Sequence, residues 1–303
     1  MLGFLLKRWR TLKSRILPFP LAFMMAALVT CASRKKEAWE VRPLEDEKLE
    51  VVHLKDVSGL RLDRLRFKSR ELNEPRFCLV LIPPGVELPK RVLIINHGWF
   101  DRPEDLLGHL HLDQVYAQLL NEGVVKPALL VLPDIRFDDS FRKHSTSFPF
   151  AQYLSLVAEE VYENVSKQYN VPSGKDNWGV AGFSFGGYVS LDVGRRYAGR
   201  FGRIGVISSF YDKDWLFWPT KKPVENSVDS KGRGKQTIIV PGPIPDILLA
   251  CGTNDRFFNA MTDLHNKFDE SGISHTWSTA RGGHTWKYWH SVLAEMLKFQ
   301  LGN

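Results

Sequence analysis

Cysteine is nearly absent, with three residues in 303, at positions 31, 78 and 251. A disulfide framework is therefore not what holds this fold together. Cys78 and Cys251 each sit in an apolar run, 77–82 and 247–251, and read as buried thiols rather than as a bridge or a nucleophile. No internal repeat and no long low-complexity tract occurs, so no repeat array is implied. Long hydrophobic runs are missing too. The best one, residues 16–30, is broken by Pro18 and Pro20 and is too short to cross a bilayer comfortably. The net charge of +7 is concentrated at one end, because five basic residues and no acidic ones precede residue 31. The remainder holds 36 basic residues against 34 acidic ones, and nothing in it reads as a nucleic-acid surface.

What stands at the start has the form of a secretory signal: a basic stretch through Arg15, an apolar stretch, then Cys31. Leu28-Val29-Thr30-Cys31 resembles a bacterial lipoprotein box, with Thr30 where such boxes carry a smaller residue. Lipidation of Cys31, ordinary cleavage and an uncleaved anchor all fit that pattern. The expectation is an exported protein of the cell envelope, periplasmic or held at the membrane through its signal or a lipid. Residues 1–31 form the signal, and the charged stretch 32–60 forms a tether. Residues 61–303 form a single catalytic domain.

The chain as a whole is 44% hydrophobic and 25% charged, which leaves that domain the material for one large core. Short apolar runs at 77–82, 92–95, 128–132, 178–181, 204–208 and 247–251 alternate with helical patterns near 104–122, 148–169, 186–199, 257–270 and 285–301. A further strand is expected at 275–279. Nearly continuous apolar strands separated by amphipathic helices specify an α/β fold, a mostly parallel central sheet covered on both faces. Pro83-Pro84-Gly85 leaves no room for a helix, so the strands on either side of it are expected to enter the sheet as an antiparallel pair. Residues 212–245 are long for a connection and rich in aromatic and small polar residues, which reads as a lid-like insertion.

Gly182-Phe183-Ser184-Phe185-Gly186 is a G-x-S-x-G pattern between a strand and a helix. A turn that thrusts Ser184 out of so tight a bend leaves no space for side chains at Gly182 and Gly186, and Gly187 lets the helix approach the sheet. A serine hydroxyl needs a base held in one tautomer. Of nine histidines, His284 is best placed, in the loop between the last strand and the last helix; His275 and His290 lie within elements. Asp255, just past the 247–251 strand, is the expected orienting acid, with helix capping as its rival role. Asp246 lies at the wrong end of that strand and Asp263 within a helix. Backbone N–H groups of Phe185 and of Trp99, with Gly98 as second choice, are expected to hold the oxyanion. His97 reads as a packing or hydrogen-bonding residue.

Taken together, Asn96-His97-Gly98, Leu130-Val131-Leu132-Pro133-Asp134, Ala181 to Tyr188, Cys251 to Asp255 and Gly282-Gly283-His284-Thr285-Trp286 resemble the putative-esterase (esterase D-like) family of α/β-hydrolases. The resemblance runs from about Arg91 to the C-terminus. Phe185 stands where many members carry Met, which leaves the backbone donor intact. Members include carboxylesterases, feruloyl and acetyl-xylan esterases, S-formylglutathione hydrolases, siderophore esterases and mycolyl transferases. The resemblance implies cleavage of a carboxylic ester or thioester, on a small-molecule or glycan-linked substrate, with no cofactor. Export argues against the cytosolic formylglutathione reaction.

His109, His111 and Asp113 resemble a metal cluster on paper, but i, i+2 and i+4 do not share a helical face, and no metal is expected. Trp215, Phe217 and Trp218, together with Trp286, Tyr288 and Trp289, read equally as an aromatic pocket or as packing. Three functions fit: hydrolysis through an acyl-serine, acyl transfer by the same triad, or a non-catalytic surface lipoprotein that binds with the same fold.

Overall fold

A computed structural model describes residues 49–85, 89–136, 150–211 and 243–302. The signal, Cys31 and most of the tether lie outside the described residues, as do Trp215, Phe217, Trp218 and nearly all of the 212–245 insertion.

The chain runs β1 (Glu50–Val57), β2 (Leu60–Ser69), β3 (Glu74–Ile82), β4 (Val92–Asn96), α1 (Pro103–Gly108), α2 (Leu112–Asn121) and β5 (Leu129–Pro133). Next come α3 (Phe150–Ser155), a π-helical stretch (Leu156–Val161) and α4 (Tyr162–Tyr169). Then follow β6 (Trp178–Phe183), α5 (Phe185–Arg196), β7 (Arg203–Ile207), β8 (Asp246–Gly252), α6 (Phe258–Glu270), β9 (Thr276–Ala280) and α7 (Trp286–Leu301). Nine strands form one sheet in the order β1-β2-β3-β5-β4-β6-β7-β8-β9. β4 through β9 pair in parallel where they are neighbours, and the β1, β2, β3 and β5 contacts are antiparallel.

The strands expected from the apolar runs are present, with two corrections. β3 and β4 do not pair across Pro83-Pro84; β5 inserts between them, antiparallel to β3 and parallel to β4. The helical crossover through α1 and α2 is what brings β5 there, and a parallel neighbour always needs such a crossover. The tether also ends earlier than expected, because Glu50–Val57 forms the edge strand, its side chains mostly exposed. A third difference lies in the 104–122 pattern. It splits at His111, whose φ of 54° breaks the helix between α1 and α2.

β4 is buried at all five positions, as a strand covered on both faces must be. Leu93 and Ile95 join a cluster with Leu106, Tyr116, Trp289, Leu293 and Met296, which are carried by α1, α2 and α7. Ile94 points the opposite way by the two-residue period of a strand and is equally buried. Each such aliphatic side chain contributes about 1.5–3 kcal/mol on burial. The consequence for function lies at β4. Its neighbours β5 and β6 leave it in opposite directions, so the loops after β4 and β6 open a crevice at the carboxyl edge.

Candidate active site

Ser184 is the single residue between β6 and α5, and its backbone is forced. With φ 55° and ψ −120° it occupies a region an L-residue adopts only when its surroundings over-determine it. Those surroundings are explicit. Its N–H donates to Ile207 O on β7 at 2.9 Å, and its carbonyl accepts from Ser209 Oγ at 2.7 Å and from Gly187 N at 3.0 Å. A Cβ on Gly182 would fall on the Gly186 carbonyl, and one on Gly186 would fall on the Asn96 carbonyl. The bend closes only because both are glycine. Asn96 Nδ2 donates to Ser190 Oγ at 3.0 Å, and Ser190 Oγ donates to Gly186 O at 2.7 Å, bracing the bend from behind.

His284 lies in the loop between β9 and α7. Its Nε2 is 3.0 Å from Ser184 Oγ, and its Nδ1 is 3.0 and 3.1 Å from the two carboxylate oxygens of Asp255. A carboxylate accepts only, so Nδ1 carries the proton and Nε2 presents its lone pair to the serine hydroxyl. Phe257 and Trp289 stand edge-on to the imidazole at 5.1 and 5.0 Å and fix its plane. The loop is tied down where Asn254 N donates to Gly282 O at 2.8 Å, linking the segment carrying the acid to the one carrying the histidine.

Asp255 follows β8, and its side chain is fully buried. Oδ1 also accepts the Phe257 N–H at 2.8 Å, closing a turn just ahead of α6, whose N-cap is Phe257 and takes no side-chain bond, so Asp255 is not the cap of that helix. Burial alone would raise its pKa. Hydrogen bonding and charge from His284, with the Phe257 amide and Ser208, more than offset that and hold it below the ordinary carboxylate value.

The loop after β4 lies against the serine, with a Cβ built on Gly98 falling 3.6 Å from Ser184 Cβ. His97 beneath it is fully buried. Its Nδ1 donates to Gly98 O at 2.7 Å, and its Nε2 accepts the Ile135 N–H at 3.1 Å, so both ring nitrogens are used and the ring is neutral. Burial lowers its pKa to about 4. Phe185 opens α5, so its N–H stands in the first turn, where amides have no intrahelical acceptor.

The other candidates disperse. His109 faces Asp105 at 3.5 Å and Trp286, His111 lies edge-on to His290, and Asp113 accepts from Ser58 Oγ at 2.6 Å, so these three do not converge on one point. His290 donates to Leu110 O at 2.9 Å and His275 pairs with His265, both away from Ser184. Cys78 and Cys251 are buried free thiols, and burial pushes the Cys251 thiol up to about 12 and Cys78 further, so neither ionises. Tyr188 and Trp289 are buried, and with Phe185, Phe210 and Phe257 they form a run of rings beside the serine and the imidazole. Sequence reasoning gave no role to Ser209 or Ser190, and quoted Asn96 in a motif without its bond to Ser190. Ser208-Ser209 directly after a buried strand was the one available signal.

A family model described as "Putative esterase" matches residues 69–300. An acetyl esterase of Caldicellulosiruptor saccharolyticus is 24% identical over 164 residues, covering 48% of this chain and 62% of that protein. The chain spans less than two thirds of the length of the curated relatives it matches, 62% and 52%. Among solved structures, a ferulic acid esterase superposes with a TM-score of 0.62 at 19% identity, covering 84% of this chain and 98% of that one. A second ferulic acid esterase, from Anaeromyces mucronatus and solved with ferulic acid, gives 0.60 at 21% identity over 82% and 92%.

Proposed function

Because the chain belongs to the putative-esterase family and has the α/β-hydrolase fold, we propose that it is a serine carboxylesterase acting through Ser184, His284 and Asp255. One observation carries this reading: an unbroken hydrogen-bonded line from hydroxyl to imidazole to buried carboxylate, drawn from three loops at one sheet edge. His284 Nε2 takes the hydroxyl proton as Ser184 Oγ attacks the carbonyl carbon. Asp255 keeps Nδ1 protonated and stabilises the imidazolium that forms. The carbonyl oxygen, now negative, is held by the amides of Phe185 and Trp99, with Gly98 beside them. Collapse expels the alcohol, which takes the proton from His284. Water then attacks the acyl-serine with His284 as base, releasing the acid and restoring Ser184.

The substrate is an ester of a small molecule or of a glycan-linked acyl group. The partly exposed Phe257 ring, edge-on to His284 and backed by Phe210 and Tyr188, favours an acyl group with an apolar or aromatic body. The proposed setting is the cell envelope, supported by the basic and apolar run that ends at Cys31. Among the described residues no helix is long and apolar enough to cross a membrane.

Two alternatives use the same fold. An acyltransferase would replace water by an acceptor hydroxyl, and a binding lipoprotein would not use the triad. A fluorophosphonate probe and a short nitrophenyl ester separate them. Labelling at Ser184 with steady turnover in the absence of any acceptor supports hydrolysis. Labelling without turnover until an alcohol is added supports transfer. A wild-type protein that neither labels nor turns over sinks both enzymatic readings.

A further inference from the structure

Away from Ser184, between α6 and the entry to β9, two histidines face each other. His265 Nδ1 and His275 Nε2 are 2.7 Å apart, one on α6 and the other just before β9. Each ring turns its other nitrogen to an oxygen that only accepts. His275 Nδ1 lies 2.9 Å from Ile273 O, and His265 Nε2 lies 3.6 Å from Asp269 Oδ2, one helical turn along. With His275 Nδ1 donating to Ile273 O, its Nε2 lone pair faces His265 Nδ1, and because Asp269 Oδ2 is too far for a hydrogen bond to His265 Nε2, a single proton on His265 Nδ1 bridges the rings, in the place a metal ion would take. On His275 this is the outer-shell pattern of metal-binding histidines, in which the second ring nitrogen donates to a carboxylate or a backbone carbonyl and so fixes the tautomer.

We propose that His265 Nδ1 and His275 Nε2 form a site for a divalent transition-metal ion such as Zn²⁺, with Asp269 as the partner that orients His265 or, after rotation, as a third ligand. Nitrogen donors select such ions over magnesium or calcium. Zn–N bonds of about 2.0–2.1 Å at a tetrahedral angle set the two nitrogens about 3.4 Å apart, so they need to part by about 0.7 Å from their present 2.7 Å. They are otherwise held in place. Trp277 stacks on His265 at 5.2 Å, and Phe268 stands edge-on to His275 at 5.3 Å. Both histidines are partly buried and Asp269 is exposed, which leaves an entry path and room for water as the remaining ligands. A bound ion would join α6 to β9, the two elements lying between Asp255 and His284 in the chain.

The test is calorimetric titration of the chelator-stripped full-length protein with Zn²⁺, alongside thermal unfolding with and without the ion. One ion per chain is expected to bind at this site and raise Tm. His265→Ala and His275→Gln should each weaken binding by at least a hundredfold and abolish the Tm shift, and Asp269→Asn should weaken it by about tenfold. Both histidine variants should keep the wild-type circular dichroism and their nitrophenyl-ester activity in the absence of metal. Cu²⁺ bound to the wild type should show coupling to two ring nitrogens by electron paramagnetic resonance. Binding that is absent in the wild type, or equal in the wild type and the double histidine variant, overturns the proposal whether or not Ser184 proves catalytic.

Discussion

His97 donates from Nδ1 to the carbonyl oxygen of Gly98 at 2.7 Å, and that carbonyl shares its peptide plane with the N–H of Trp99. In a trans peptide the two groups point in opposite directions. Holding the oxygen on the His97 side, with Asp101 N donating to the same atom at 3.2 Å, therefore fixes where the Trp99 amide is aimed. A buried imidazole that touches no substrate thus sets the direction of a proposed oxyanion donor.

His97→Ala is accordingly expected to lower kcat by about 10–10²-fold with little change in KM. Loss of a whole oxyanion donor costs about 10²–10³, and here the donor is loosened rather than removed. His97→Asn, whose amide can give the same bond to Gly98 O, should recover part of the rate. Steady-state kinetics on a nitrophenyl ester check this. A rise in KM at constant kcat would mean that His97 shapes the binding surface instead.

The same residue predicts how stability responds to acid. His97 has a folded pKa of about 4 against an ordinary value of 6.5. Between those two values the unfolded chain binds a proton that the folded chain refuses, so unfolding becomes easier as pH falls through that window. The loss approaches about 3 kcal/mol at its lower end. Asp255 acts elsewhere, because its lowered pKa contributes stability present above the ordinary carboxylate value and lost only below it. Denaturant midpoints at pH 7, 5.5 and 4.5 should fall in the wild type and fall distinctly less in His97→Asn.

Much of this site was legible in the sequence because it sits where parallel strands end. The G-x-S-x-G turn and Asp255 after β8 each follow an apolar run that marked its strand, His284 follows the mostly polar β9 ahead of the last helix, and the carboxyl edge collects all three. What escaped was contact between parts distant in the chain. Ser209 bonds Ser184 across 25 residues and Ser190 meets Asn96 across 94, and neither leaves a periodic trace. The place of β5 between β3 and β4 was hidden for the same reason, since a local Pro-Pro turn suggests pairing while the crossover decides it. The helix break at His111 came from a single left-handed residue inside an otherwise helical pattern.

Asp255 holds two donors at once, and a substitution can separate them. In Asp255→Asn the amide oxygen can still accept the Phe257 N–H, while the amide nitrogen faces His284 Nδ1 and favours the tautomer with its proton on Nε2. That tautomer cannot accept from Ser184, so kcat should fall by about 10³–10⁴ with Tm nearly unchanged. Asp255→Ala should lose activity too and additionally about 1 kcal/mol of stability from the missing bond to the Phe257 N–H. Equal Tm losses in the two variants would show that the Phe257 contact contributes nothing.

The elbow glycines should differ in what they tolerate. A methyl group on Gly186 meets the carbonyls of Asn96 and His97, backbone in β4 and the loop after it that cannot yield without opening the sheet edge, so Gly186→Ala should fail to accumulate as folded protein. On Gly187 the nearest obstacle is a side chain, with Ser209 Cβ at 2.8 Å and Oγ at 3.0 Å from the added carbon and the Gly182 carbonyl oxygen next at 3.2 Å. Gly187→Ala should therefore fold, at a cost of about 1–3 kcal/mol typical of overpacking. Because Ser209 Oγ also holds Ser184 O, displacing it should lower kcat as well. Adding Ser209→Gly removes the obstruction along with that bond. If steric pressure is the cause, the double variant should regain stability over Gly187→Ala while its kcat stays below wild type, and chemical denaturation with ester kinetics on the same samples reads both. A double variant no more stable than Gly187→Ala would place the strain in the helix backbone rather than at Ser209.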